Sequence, residues 1–412
     1  MQEICSKKVL QIPHSGIRHT FNLALEYADA IHLCIGEPDF STPSFIIEAA
    51  YEAAKNGLTH YTINAGILKL REAISKKYQK EQGIFYDPKE EILVTVGAME
   101  ALALTMMVIL NPGDEIILSN PSWPNYDAHI LLGDGKPVFV PVKEEEGWVM
   151  TADRISDHLT SRTKAILINS PNNPTGAVYN LKQLEEIAKI SLDRDIIVIS
   201  DEAYEKIIYE ERHHSIASFP EMKERTIVIN TFSKSYAMTG WRIGYALGNK
   251  KIIKEMTKLQ EHIAACASSI SQAAALAALQ KGSSAVVKMV GEYKLRRSLL
   301  LEEIEKTPGF SCLPPKGTFY AFVNIKKLGE NSSEVSLKLL KETRVVTVPG
   351  SAFGSGGEGY LRISFATSCE KIKLAFKRIR VALKNWQLFL IALYLGGSLY
   401  SMKFVKLLDF DL

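Results

Sequence analysis

The chain has 412 residues, of which 46% are hydrophobic and 23% charged, a mixture typical of globular proteins and long enough for two domains. Its formal net charge is only +3, and no block of Lys and Arg stands in the sequence, which argues against a nucleic-acid-binding protein. The five cysteines lie far apart, without the spacing of a zinc site, so we expect no metal site and free thiols in a reducing compartment.

The chain begins with MQEICSKKVL, which contains no long apolar stretch. We therefore expect no signal peptide and a cytoplasmic protein.

Residues 45–280 alternate short apolar runs with helical stretches. The apolar runs are EILVTV, DEIILS, KPVFVPV, KAILIN, DIIVIS, TIVIN and IGYALG, and the stretches between them include MEALALTMMVIL and LKQLEEIAKISL. Strands that alternate with helices predict an α/β fold, in which helices cover both faces of a mostly parallel sheet. We assign residues 45–280 to one large domain of this kind.

The pattern changes from residue 285 onward. A long charged helix is followed by short strands and a closing helix, KIKLAFKRIRVALK at 371–384; the predicted strands are TFYAFVNI, RVVTVPG and YLRISFA. We predict a smaller α+β domain that consists of residues 1–44 and 281–384.

Residues 385–412 form an extra apolar tail of unknown role. From Asn385 to Met402 the tail has 18 positions without a charge, interrupted by Gly396 and Gly397. This stretch barely reaches the roughly 20 residues that a membrane-spanning helix needs. The alternatives are an amphipathic or partner-packing helix, a membrane anchor, and a segment foreign to the fold; we expect no membrane span.

Three polar residues follow three neighbouring apolar runs of the large domain. Asn173 lies in SPNNPTG after AILIN, Asp201 follows DIIVIS, and Lys234 follows TIVIN. The carboxyl ends of parallel strands are where open α/β sheets bind ligands. A carboxylate after a buried strand is costly unless it meets a positive partner, and a desolvated lysine can form a Schiff base. An amide, a carboxylate and an amine together suit pyridoxal phosphate.

Six motifs, in this order and spacing, resemble the class I/II aminotransferases of the fold-type I pyridoxal-phosphate enzymes, over roughly residues 10–383. They are GEPDFSTP at 36–43, Gly97-Ala98-Met99, SPNNPTG at 170–176, SDEAY at 200–204, SKSYAMTGWR at 233–242 and YLRISFA at 360–366. The resemblance implies the fold-type I architecture, with a large cofactor-binding domain and a smaller α+β domain.

The resemblance also implies the residues that hold the phosphate group. Residues 97–99 open a helix after EILVTV, and a helix N-terminus presents backbone N–H groups to an anion. Ser233 and Arg242 are similar to the family's other phosphate contacts. Tyr61 matches the family tyrosine that reaches the phosphate from the neighbouring subunit, which implies a homodimer.

For the cofactor ring, the resemblance implies that Trp123 stacks on the pyridine face and that Asp201 keeps the ring nitrogen protonated. Asn173 and Tyr204 resemble the pair that hydrogen-bonds the phenolic oxygen. Lys234 matches the lysine that binds the aldehyde. The catalytic residues implied are therefore Lys234, Asp201 and Tyr204.

The implied substrate site consists of Gly36, Arg362, Asn173 and Trp123. Arg362 matches the arginine that grips the substrate α-carboxylate with two parallel hydrogen bonds, helped by the backbone of Gly36. Without the resemblance, an arginine that alternates with apolar residues on a strand is more typical of a solvated face. Lys234, once freed, would move the proton between Cα and the cofactor carbon.

These residues predict an aminotransferase that moves the amino group of an L-amino acid to a 2-oxo acid by a ping-pong mechanism, through a Schiff base between Lys234 and pyridoxal phosphate. A pyridoxal-phosphate-dependent C–S β-lyase and a non-catalytic regulatory module are the alternatives. Substrate choice stays open: Arg18 could pair with a distal carboxylate or be a loop charge, and Met99 stands where related aspartate-using bacterial members tend to have a lysine.

Overall fold

The structure, a computed structural model, describes residues 4–13, 16–210, 212–329 and 331–394. The helices are α1 Lys7–Leu10, α2 Gly16–Ala24, α3 Ser44–Lys55, α4 Leu68–Gln82, α5 Gly97–Ile109, α6 Asn125–Leu132, α7 Ala152–Asp157, α8 Leu181–Arg194, α9 Lys250–Ile263, α10 Ser269–Lys281, α11 Ser283–Glu305, α12 Ser332–Thr343 and α13 Cys369–Tyr394. The strands are β1 Ile31–His32, β2 Ile92–Thr95, β3 Glu115–Asn120, β4 Lys136–Pro141, β5 Thr163–Asn169, β6 Ile197–Asp201, β7 Thr226–Thr231, β8 Gly244–Leu247, β9 Ser311–Cys312, β10 Tyr320–Asn324, β11 Val345–Val346, β12 Val348–Pro349 and β13 Tyr360–Ser364.

The large sheet has seven strands in the order β2-β8-β7-β6-β5-β3-β4. β8 runs antiparallel to both of its neighbours, and the other pairs are parallel. The predicted α/β class with a mostly parallel sheet is therefore confirmed.

Helices cover both faces of this sheet, because successive side chains of a strand point to opposite faces. Ile166 and Ile168 of β5 pack in one core with Leu184 of α8, whereas Leu167 packs in another core with Leu102 of α5. Apolar residues at every strand position thus produce two hydrophobic layers. The continuous apolar runs in the sequence have this physical cause.

The small sheet has the order β12-β13-β10-β9 and is antiparallel. β1 pairs in parallel with β11 through Ile31↔Val345 and His32↔Val346, so residues of the N-terminal segment lie beside residues of the C-terminal part. α10 ends at Lys281 and α11 begins at Ser283. The division into domains at 280/281 stays a prediction.

The helix predicted at 371–384 extends further than expected. α13 runs without a break to Tyr394, and Trp386 packs on α12, where its Nε1 donates to Glu342 Oε2 over 2.5 Å. A search of the described helices finds none that is long and apolar enough to cross a membrane. The remainder of the apolar tail, from residue 395 on, lies outside the described residues.

Candidate active site

The three predicted strand ends converge at one edge of the large sheet. Asn169 pairs with Asp201, and Asp201 pairs with Ile229 of β7. A cavity of about 490 Å³ opens there. It is lined by the predicted site residues Gly36, Ala98, Met99, Trp123, Asn173, Asp201, Tyr204, Ser233, Lys234, Arg242 and Arg362. Residues separated by more than 300 positions in the sequence therefore form one site.

Two predicted residues do not line this cavity. Gly97 is the first residue of α5 and directly precedes Ala98, which does line the cavity. Tyr61 is 89% exposed on the surface of this single chain. Its predicted role in a neighbouring subunit's site stays a prediction. Arg18, whose substrate contact was left open, lines the cavity.

The pKa of Lys234 is lowered in the folded protein. Its Nζ donates to the carbonyl oxygen of Gly36 over 2.5 Å. Burial lowers the pKa of Lys234 to about 8; Arg362 and Arg242 lower it too, whereas Glu37 opposes them. Near neutral pH a useful fraction of this amine is consequently uncharged and nucleophilic.

Asp201 is a buried carboxylate, 3% exposed. Its Oδ2 accepts a hydrogen bond from the Tyr126 hydroxyl over 2.7 Å, and its Oδ1 accepts one from the Ala203 backbone N–H over 3.1 Å. Burial raises the pKa of Asp201 to about 6, and these two hydrogen bonds oppose the rise. The hydrogen-bond donors to this carboxylate are neutral, so its negative charge can attract a positive group in the cavity.

Gly97 and Arg242, two of the residues predicted to bind phosphate, form a cradle that a side chain at Gly97 would fill. Gly97 has φ +77°, and a Cβ atom there would lie 2.7 Å from Nη2 of Arg242. The backbone of Arg242 is also in the left-handed region, with φ +50°. Its Nη1 donates to the carbonyl of Thr239 over 2.9 Å. A guanidinium beside the N-terminus of α5, with the Ser233 hydroxyl, fits an anion.

Arg362 is fully buried, at 1% exposure, and does not lie on a solvated face. Its Nη1 donates to Asn173 Oδ1 over 3.0 Å and its Nη2 to the carbonyl of Cys34 over 2.7 Å. Nε has no hydrogen-bond partner among the described residues. Neutral partners leave the guanidinium charge unbalanced, which suits a carboxylate ligand.

The sequence did not single out Tyr126 or Tyr320. Tyr126 contacts Asp201, and the hydroxyl of Tyr320 lies 3.0 Å from that of Tyr204. Tyr320 stands among apolar residues in the sequence and is typical of a core residue there, whereas Tyr126 stands between Asn125 and Asp127 and is typical of a polar turn. A signal for Tyr126 was available, because a buried tyrosine requires a hydrogen-bond partner and this one follows Trp123 by three positions.

Comparison with known proteins agrees with this geometry. A family model described as aminotransferase class I and II matches residues 28–379. The chain is 42% identical to the aromatic-amino-acid aminotransferase 2 of Thermococcus litoralis, over 93% of this chain and 99% of that protein. It is 45% identical to the aspartate aminotransferase of Pyrococcus abyssi, over 91% of this chain and 97% of that protein.

A solved structure is similar over the same range. The crystal structure of the aromatic aminotransferase from Pyrococcus horikoshii superposes with a TM-score of 0.86 at 45% identity, and the match covers 90% of this chain and 99% of that one.

Proposed function

Because this chain belongs to the class I and II aminotransferases, we propose that it moves the amino group of an L-amino acid to a 2-oxo acid in two half-reactions, with pyridoxal phosphate held at Lys234. That the protein is an aminotransferase follows from the family and from the named relatives. These matches do not favour the C–S β-lyase alternative. The substrates, the cofactor and its contacts are the parts that we propose.

One observation carries the proposal: a lysine with a pKa near 8 shares a cavity with a buried carboxylate and a buried arginine. The donor set fits pyridoxal phosphate. The cradle of Gly97 and Arg242 suits its phosphate, Asp201 its ring nitrogen, and Lys234 its aldehyde. When bound, this cofactor supplies an aldehyde that carries the amino group and a ring that withdraws electrons from the substrate Cα.

The side chains of the site then have separate tasks. Arg362 binds the α-carboxylate and so fixes the orientation of the substrate. Lys234 Nζ would take the proton from the substrate Cα and deliver it to the cofactor carbon in the first half-reaction, and would move a proton in the opposite direction in the second, for which a pKa near 8 is suitable. Asp201 would hold a proton on the ring nitrogen through its negative charge.

The remaining contacts concern the face and the oxygen of the ring. Trp123 would stack on the ring face, in agreement with its place in the cavity wall. Asn173 and Tyr204 would hydrogen-bond the phenolic oxygen.

We further propose that the protein is a homodimer in which Tyr61 completes the phosphate site of the other subunit. Tyr61 is 89% exposed, and exposed apolar residues precede and follow it in the chain, namely Ile47 at 47%, Tyr51 at 63% and Ile63 at 58%. Contiguous exposed apolar patches mark association surfaces, and we propose that these residues form one in the dimer. Sedimentation at the mass of two chains would agree, whereas a monomer would contradict this part. A cytoplasmic location, consistent with five free cysteines, belongs to the same proposal.

Borohydride reduction followed by peptide mapping tests the assignment of Lys234. The protein loaded with pyridoxal phosphate should carry the reduced cofactor on the peptide with Lys234, and Lys234→Ala should carry none and have no turnover. Lys77→Arg is the matched control, because Lys77 is also buried but lies in a different cluster; it should be labelled at Lys234. A label on another lysine of the unmodified protein would refute the proposal.

A further inference from the structure

Tyr320 connects two parts of the site to which the mechanism above gives separate tasks. It is 1% exposed and lies on β10. The register places it opposite Ser364, with Arg362 opposite Phe322, so Tyr320 and Arg362 lie on the same face of the small sheet. The guanidinium carbon of Arg362 is 4.4 Å from the centre of the Tyr320 ring. This is within the range of a cation–π contact.

The other end of Tyr320 reaches the large sheet. Its hydroxyl lies 3.0 Å from the hydroxyl of Tyr204, which follows β6. Both hydroxyl groups are buried. A chain of contacts therefore runs from the carboxylate-binding arginine, through Tyr320, to the tyrosine that would meet the phenolic oxygen of the cofactor.

The position of the Tyr320 hydroxyl is closely constrained. A Cβ atom on Gly36 would lie 2.8 Å from it, so the hydroxyl rests directly against the Gly36 backbone. The carbonyl of the same residue accepts the hydrogen bond from Lys234. A hydroxyl confined between Gly36 and Tyr204 has little freedom to choose another partner.

Charge determines which tyrosine donates. Burial raises the pKa of Tyr204 well above its usual range and also raises the pKa of Tyr320, and Arg362 opposes both rises. The carboxylates that face the pair are Glu37, toward Tyr320, and Asp201, toward Tyr204. By geometry either hydroxyl can donate; because the Arg362 guanidinium lies against the Tyr320 ring, we take Tyr320 as the donor, which leaves the Tyr204 proton for the cofactor.

We propose that Tyr320 is a positioning residue: its hydroxyl donates to Tyr204 and transmits the charge state of the Arg362 site to the hydrogen bond between Tyr204 and the cofactor. A hydroxyl that accepts a hydrogen bond becomes a stronger donor. When a substrate carboxylate neutralises Arg362, Tyr320 becomes a weaker donor, and Tyr204 in turn donates less strongly. Binding at one end of the cavity thus changes the electronics at the other. The inference rests on the proposed function.

The test is a pH titration of the visible absorbance of bound pyridoxal phosphate, which follows the ionisation at the Lys234–cofactor linkage and not turnover. The Tyr204 hydrogen bond to the phenolic oxygen lowers the midpoint. Tyr320→Phe keeps the ring over Arg362 and should raise the midpoint by about 0.1 to 0.3 pH unit, because a neighbouring hydrogen bond strengthens a neutral one by roughly 10–30%. Tyr204→Phe should raise it further. In the double variant, Tyr320→Phe should add nothing to the shift that Tyr204→Phe causes alone.

Tyr293→Phe is the matched control. Tyr293 is equally buried, and its hydroxyl has no hydrogen-bond partner in the described part of the chain. Its ring packs on Phe319, 5.5 Å away between centroids. This variant should leave the midpoint unchanged, because it removes a hydroxyl from the same cluster without touching Tyr204.

Saturation with an unreactive carboxylate, maleate or 3-phenylpropionate, tests the transmission. It should raise the midpoint of the unmodified protein and raise it less in Tyr320→Phe. Tyr204→Phe, which leaves Tyr320 intact, should show the same smaller rise and tests the connection even if Tyr320→Phe does not fold.

An unchanged midpoint in Tyr320→Phe, additive shifts in the double variant, or equal carboxylate effects in all proteins would overturn the inference alone. A protein that acquires no visible band with pyridoxal phosphate would overturn the proposed function as well.

Discussion

Two groups of buried charges lie on either side of the end of β6, and they are built differently. Asp201 points into the cavity with Lys234 and Arg362, and we call these three the cavity charges. The next residue, Glu202, belongs to a back cluster with Lys77, Glu81, Glu205 and His213. Successive residues of an extended chain point to opposite sides, so one strand end supplies both groups.

In the back cluster, each carboxylate lies within 3.3 Å of a lysine or histidine nitrogen. Lys77 Nζ lies 2.7 Å from Glu205 and 3.3 Å from Glu81, and His213 Nε2 lies 3.2 Å from Glu202. Burial alone would lower the pKa of Lys77, but the carboxylate of Glu205 holds it well above its usual range. Glu202, Glu205 and His213 could coordinate a cation by distance, yet Lys77 already supplies the positive charge there.

The cavity charges have neutral hydrogen-bond partners instead. Asp201 accepts from a tyrosine hydroxyl, Lys234 donates to a carbonyl, and Arg362 donates to an amide oxygen and a carbonyl. Each charge has hydrogen bonds, but no opposite charge at contact distance is recorded among the described residues. The difference is typical of a ligand site: each of these buried groups has hydrogen-bond partners, but its charge is not neutralised by an opposite charge in contact with it.

Removing Lys77 tests the back cluster and should have the largest effect on stability. Lys77→Met leaves Glu205 as a buried carboxylate without its cation, which costs about 3–5 kcal/mol of unfolding free energy. Denaturant unfolding measures this loss. The double variant Lys77→Met/Glu205→Gln should recover most of it, because no unpaired charge remains. Lys258→Met, at an exposed ion pair on α9, should cause no measurable change. A single variant as stable as the parent would contradict the comparison.

Removing Arg362 tests a cavity charge and should affect activity more than stability. Loss of one partner of a desolvated charge pair costs about 2–5 kcal/mol, so Arg362→Ala should lose roughly 30-fold to several thousand-fold in kcat/KM. The loss should be similar for alanine, aspartate, glutamate and an aromatic donor, since all share the α-carboxylate. Arg18→Ala should impair dicarboxylic donors alone, if any. An Arg362→Ala variant impaired only with aspartate would show that this arginine contacts the substrate side chain.

The third prediction is smaller and concerns pH. Burial lowers the pKa of Lys234 from 10.5 to about 8, so between these values the unfolded chain holds a proton that the folded chain has lost. Without cofactor, the stability contributed by Lys234 is therefore lowest below pH 8 and rises from there toward pH 10.5. Lys234→Met should melt a few degrees higher than the parent near pH 7, and this difference should shrink above pH 8.

Lys182→Met is the control for this pH dependence, because that lysine is 84% exposed. Its melting temperature should differ from that of the parent by an amount that does not change with pH. If the melting-temperature difference of Lys234→Met is also independent of pH, the pKa of Lys234 is not lowered by burial, and the amine is almost fully protonated at neutral pH.

The sequence predicted the sheet and the cavity charges to different degrees. Asn173, Asp201 and Lys234 could be predicted because parallel strands end at a common edge, which a pattern of apolar runs locates. Arg362 could be predicted only through the family resemblance, since alternation on a strand favours a solvated position. Tyr320 could not be predicted, because its role depends on the approach of β10 to Tyr204, and no local pattern encodes that distance.

The hydrogen bond from Arg362 to the Cys34 carbonyl joins positions 328 residues apart. During synthesis, the strands of the large sheet, which end at Leu247, leave the ribosome long before Arg362. Contacts of such high sequence separation form late, because the intervening chain must first be ordered. A nascent chain can thus bring together Gly97, Arg242 and Lys234 early, but it acquires the arginine that we propose for the substrate carboxylate only after position 362 has been synthesised. In this sense the proposed amino-acid site forms later than the proposed cofactor site.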